Sequence, residues 1–154
     1  MYEDDEDRLD AAEQLAEHSP HAAAEALSAI ACDHEVGDEV RLSAAEQLAA
    51  IDPRAAAPAC LAIARDGTVG DEVRLSAAEQ LAAVNPQAAA PACLVIACDG
   101  TVGDEVRLSA AEQLAAIDPR AAAPACLAIA RDGTVGDEER LSATEQLAAL
   151  DHNG

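Results

Sequence analysis

Between Asp38 and Ile51 the apolar residues Val40, Ala44, Ala45, Leu48 and Ile51 recur at helical spacing, while Glu39, Ser43, Glu46, Gln47 and Ala50 fall on the other side. The pattern predicts an amphipathic helix, termed helix A. It ends at Asp52-Pro53, where an N-cap side chain precedes a proline at a first helical position, and Ser19-Pro20, Asn85-Pro86 and Asp118-Pro119 have the same form. A second helix, B, is predicted from there to about Arg65, with Ala57, Cys60, Leu61 and Ala64 turned inward. Pro58 lacks an N–H and is expected to bend or loosen its first turn. Helix B stops at Asp66-Gly67, where glycine is free to take the left-handed C-terminal conformation. Thr68, with Asp71 three residues on, has the form of a capping box for the next helix A, and Asp71 and Glu72 suit the positive end of its dipole.

This helix pair recurs. The block from Gly37 to Val69 returns letter for letter from Gly103 to Val135, and Gly70 to Val102 differs from it at five positions. A degenerate copy precedes these, with Arg8, Ala11, Ala12, Glu13, Gln14 and Leu15 matching Arg41, Ala44, Ala45, Glu46, Gln47 and Leu48, and a half copy, Gly136 to Leu150, follows them. Repeats at a fixed period of this length bury their apolar faces only against their neighbours. The expected fold is therefore all-α: a right-handed α-solenoid of two-helix, 33-residue repeats, four and a half units and about nine helices, forming one domain over residues 1–154. The units fall at about 4–36, 37–69, 70–102, 103–135 and 136–150, and stacking them predicts a short, curved rod with one ridge of A helices and one of B helices. Inner copies carry Val40, Val73 and Val106 where the first has Asp7 and the last Glu139, so this position is expected to be buried between neighbours and capped by charge at the ends.

The stretch VRLSAAEQLAAIDPRAAAPACLAIARD resembles HEAT-like repeats of the phycobilisome-lyase type, in which Val-Arg opens helix A, paired alanines and a leucine follow, and Asp-Pro-Arg opens helix B. It is especially similar to repeat arrays that accompany NTPase sensor proteins of actinobacteria, and the resemblance covers roughly Arg8 to Leu150. It implies a solenoid whose B helices line the concave side. These 154 residues contain no P-loop, so the resemblance does not extend to NTP hydrolysis.

Composition narrows the functional classes. Half the chain is apolar, yet it has no Phe or Trp and one Tyr, Tyr2, so its helices must approach closely. The net charge is −21, and all nine basic residues are arginine. Binding to a nucleic-acid backbone, which Lys and Arg drive, is not expected; a basic protein partner is, unless the charge serves solubility alone. A minor alternative is an acidic DNA mimic, but repeats about 10 Å apart are too widely spaced to copy duplex phosphates. The opening MYEDDEDRLD lacks a signal-peptide pattern, and no apolar stretch approaches the roughly 20 residues of a membrane span, so the chain is expected to be cytoplasmic and not membrane-bound.

Residues that could carry chemistry follow the repeat. Cys60, Cys93 and Cys126 share one inward position and are expected to be small buried apolar groups, whereas Cys32 and Cys98 stand at the Arg65 position and are expected to be exposed. No metal site is expected from His18, His21, His34 and His152, nor a calcium site from the Asp66–Glu72 loops, which lack alternating acidic ligands. Arg41, Arg74, Arg107 and Arg140 are expected to pair with loop aspartates across repeats as a structural ladder. No cofactor and no catalytic group is assigned.

The five differences between copies supply the functional clue: Ile51 becomes Val84, Asp52 Asn85, Arg54 Gln87, Ala62 Val95 and Arg65 Cys98. Positions 54, 58, 62 and 65 share the outward face of helix B. The reading favoured here is a non-enzymatic protein-binding scaffold that contacts its partner through Arg54, Arg65, Gln87, Val95, Cys98, Arg120 and Arg131, or through an acidic helix-A ridge on which Glu39, Glu46, Glu72, Glu79, Glu105 and Glu112 recur and which suits a basic protein. Two other readings stay open: drift at exposed positions, and a self-assembling module that forms dimers or filaments by end stacking, a homo-oligomer.

Overall fold

A computed structural model describes residues 2–153, with side chains from Asp4 to Asp151. Its described residues form nine helices and no strands: α1 (Tyr2–His18), α2 (Pro20–Ala31), α3 (Asp38–Ile51), α4 (Pro53–Arg65), α5 (Asp71–Val84), α6 (Pro86–Cys98), α7 (Asp104–Ile117), α8 (Pro119–Arg131) and α9 (Asp137–Asn153). Odd-numbered helices are the A helices and even-numbered ones the B helices. The chain divides into two compact units, Met1–Asn85 and Pro86–Gly154. In the first, each helix packs on the next, α1 on α3, α3 on α5, and α2 on α4; in the second, α6 to α9 repeat the scheme, with α6 on α8 and α7 on α9. Each unit is thus an all-α array of the solenoid kind.

The prolines start the B helices as the sequence predicts. Ser19, Asp52 and Asp118 are extended N-caps whose side-chain oxygens accept from the N–H of Ala22 (3.3 Å), Ala55 (3.4 Å) and Ala121 (3.4 Å). Helix α4 runs unbroken through Pro58, and α8 through Pro124; both prolines are exposed. The turn after each B helix differs from the expected one. No described glycine has positive φ, so Gly67 forms no left-handed cap. The aspartate makes the turn instead: Asp66 Oδ1 accepts from the N–H (2.9 Å) and the hydroxyl (2.6 Å) of Thr68, and its carbonyl accepts from Val69 N (3.1 Å). Thr68 is therefore engaged with Asp66, and Gly70, without a side-chain cap, is the N-cap of α5.

A further clamp joins successive A helices near their N-terminal ends. Asp5, Asp38 and Asp104 accept through Oδ2 from the backbone N–H of Gly37 (3.0 Å), Gly70 (2.8 Å) and Gly136 (2.8 Å). Each of these glycines is the residue before an A helix, where backbone N–H groups lie free and a carboxylate suits the positive helix end.

The inward faces are shifted from those the apolar pattern alone suggests. In α3 the buried residues are Arg41, Ala44, Ala45 and Leu48, with Val40 and Ile51 only half-buried. In α4 they are Ala56, Ala59, Cys60, Ile63 and Ala64, while Ala57 and Leu61 are half-buried. Val73 and Val106 are half-buried too, so the valine position capped by Asp7 and Glu139 is not a core position. The largest correction concerns arginine. Arg41, Arg74 and Arg107 are 1%, 2% and 3% exposed, and among the described residues Arg41 and Arg74 are the bulkiest fully buried side chains. A core lacking aromatics fills its space with arginine stems and then has to satisfy their charged heads.

Candidate functional site

An arginine clasp built on a buried side chain recurs along the repeats. Arg41 Nε donates to the Ala31 carbonyl at the end of α2 (2.9 Å), and its Nη1 donates to Asp66 Oδ2 in the turn after α4 (3.0 Å). One side chain thereby ties an A helix to the preceding B helix and to the following turn. Arg107 repeats it with Ala97 (2.9 Å) and Asp132 (2.9 Å), Arg74 Nε donates to Ala64 (3.0 Å), and at the first copy Arg8 meets Asp33 (3.0 Å) in the open. The expected ladder exists with a corrected register: arginine and aspartate belong to the same 33-residue unit, while the carbonyl contact reaches the preceding one. Arg140 donates to Ala130 (3.0 Å) and, among the described residues, meets no aspartate.

The clasp dictates the titration of its acids. Hydrogen bonds from the Thr68 hydroxyl and amide, with the Arg41 guanidinium and the His34 ring, hold the Asp66 carboxyl far below the usual carboxylate range, against the opposing effect of burial. Thr134 and Arg107 do the same for Asp132, and the Glu35 amide with Arg8 lowers Asp33. His34 Nδ1 stands 2.8 Å from Asp66 Oδ2, an added contact at a position that is glycine in later turns, and Arg41 Nη2 is buried without an acceptor.

The helix-B stripe faces solvent. Arg54, Pro58 and Arg65 are exposed on α4 and Ala62 is half-buried. In the second unit Gln87, Val95 and Cys98 are exposed on α6, Val95 to 41%, and Arg120 and Arg131 are exposed on α8. None of the five positions that differ between copies is buried. Glu46, Glu79 and Glu112 of the A helices are also exposed, but this position has an internal use: Gln47 donates to Glu13 (2.6 Å) and Gln146 to Glu112 (3.2 Å), bridging successive A helices.

Cys60, Cys93 and Cys126 are fully buried and Cys32 and Cys98 exposed, matching the sequence assignment. Burial, with the charge of Glu46 added, pushes the Cys60 thiol up to about 11, and burial with Glu112 raises Cys126. Such thiols are poor nucleophiles and poor metal ligands. Among the described residues no three of His, Cys, Asp and Glu gather where they could hold a metal ion, and no helix is long and apolar enough to cross a membrane. His152 lies outside the described side chains.

Grooves run between neighbouring A helices of the first unit. One of about 300 Å³ is lined by Glu6, Leu9, Asp10, Glu39, Val40 and Ser43, and one of about 350 Å³ by Glu39, Leu42, Ser43, Glu72, Val73 and Ser76. The sequence reading missed them because it assigned Val40 and Val73 to the core. Compared with known proteins, the chain matches no family model, no curated protein and no solved structure.

Proposed function

We propose that the chain is a non-enzymatic scaffold of HEAT-like repeats that binds a protein through the outward stripe of its B helices. The observation that supports this reading is where the copies differ. Every buried position of the repeat is kept between residues 37–69 and 70–102, whereas Arg54→Gln87, Ala62→Val95 and Arg65→Cys98 change charge and size along one solvent-facing stripe. Val95 adds exposed apolar area on α6, and in the same unit α8, which packs on α6, exposes Arg120 and Arg131; apolar residues together with arginine are the composition favoured at protein contacts. The paired arginines and aspartates are used up in holding helices together, which leaves the stripe as a surface without structural duty.

The test places a photo-crosslinking residue at position 95 and, as control, at buried-edge position 61 in cells, and compares the products with those of a variant carrying Arg54, Arg65, Arg120 and Arg131 as alanine. One discrete adduct from position 95, lost in the arginine variant, is the expected result. An adduct that persists unchanged in the variant would refute the stripe as the contact surface.

A further inference from the structure

Two of the grooves on the first unit are copies of one another. In each, a leucine of one A helix and a valine of the next, Leu9 with Val40 and Leu42 with Val73, are half-buried between exposed carboxylates. Glu6, Asp10 and Glu39 flank the first pair, and Glu39 and Glu72 flank the second, so Glu39 serves both. No cation lines either groove, since Arg41 and Arg74 point into the core and Arg8 is held by Asp33. Among the described residues these four carboxylates form no ion pair. An apolar floor with a carboxylate rim fits one kind of side chain, a long aliphatic stem ending in a cation.

We infer that the helix-A face of the first unit binds an extended basic segment of a protein, placing one arginine or lysine in each groove. Packed helices stand about 8–10 Å apart. A polyproline-II segment rises about 3.1 Å per residue with three residues per turn, so its positions i and i+3 project from one side about 9 Å apart. Its stems lie on Leu9–Val40 and Leu42–Val73, and its charged heads meet Glu6, Asp10, Glu39 and Glu72, with Glu39 shared. This surface is separate from the helix-B stripe, and either can fail without the other.

The experiment titrates the full chain, at near-physiological salt, with a labelled peptide carrying arginine at every third residue, followed by fluorescence anisotropy and methyl NMR. The expected result is one-to-one binding with shifts at Leu9, Val40, Leu42 and Val73. Glu39→Gln should weaken it about fivefold and Glu17→Gln, an exposed carboxylate at the other end of α1, less than about twofold. Moving the arginines to every second residue should weaken binding as much as Glu39→Gln does. Equal losses in the two variants, or shifts spread over all exposed carboxylates, would show mere attraction to a chain of net charge −21 and overturn the proposal.

Discussion

Replacing Arg107 by alanine tests the clasp directly, because the second unit contains its own control. Arg107 is 3% exposed, bonds the Ala97 carbonyl and pairs with Asp132; Arg140, at the same helix position, makes the carbonyl bond alone and is half-buried. Arg107→Ala removes the stem that fills the core, unpairs a carbonyl on fully buried Ala97 and takes away the counter-charge of Asp132. Breaking a buried pair from one side costs about 3–5 kcal/mol. Arg140→Ala forfeits one hydrogen bond near the surface, about 1 kcal/mol. Urea unfolding followed by far-UV circular dichroism should therefore separate the two variants by at least about 2 kcal/mol. Arg107→Met, which keeps the stem and loses the head, should fall between wild type and Arg107→Ala. If both alanine variants lose the same stability to within about 0.5 kcal/mol, the clasp is not what holds these helices.

Other predictions follow from the turns and the thiols. A Cβ at Gly67, Gly100 or Gly133 meets nothing within 4 Å and none of these residues has positive φ, so each Gly→Ala variant should gain about 0.4–1 kcal/mol in the same urea assay. A left-handed cap would have given a loss. Because the folded pKa of Asp66 is depressed, its contribution is complete above the unfolded value of about 3.9 and is lost as pH falls from there toward the folded value. Thr68→Val removes the strongest cause of that depression, and carboxyl NMR should show the Asp66 midpoint moving upward. A thiol reagent should label Cys32 and Cys98 rapidly in the native chain and Cys60, Cys93 and Cys126 only on unfolding.

Helix existence, order and near-boundaries were legible in the sequence because they rest on local chemistry: a cap residue before proline, a period of 3.6, and a unit repeated letter for letter. The exposed positions 54, 58 and 65 of helix B and the buried cysteine position followed from the same periodicity, whereas Ala62 on that stripe is half-buried. What periodicity could not supply is which of two adjacent faces turns inward, since helix A has apolar residues at Val40 and Ile51 as well as at Ala44, Ala45 and Leu48. Packing decided it by backbone approach. Alanines go where helices touch most closely, the larger valine is pushed to the groove, and arginine enters the core because a carbonyl and an aspartate distant in sequence converge on its guanidinium. The turns were misjudged for a related reason. Gly67 and Thr68 permit a left-handed cap and a capping box, but Asp66, fixed by Arg41, draws the threonine to itself and leaves glycine no such part. The sequence alone thus determined the unit and its repetition, while only the tertiary structure decided the faces, because burial and pairing depend on neighbours that no local pattern contains.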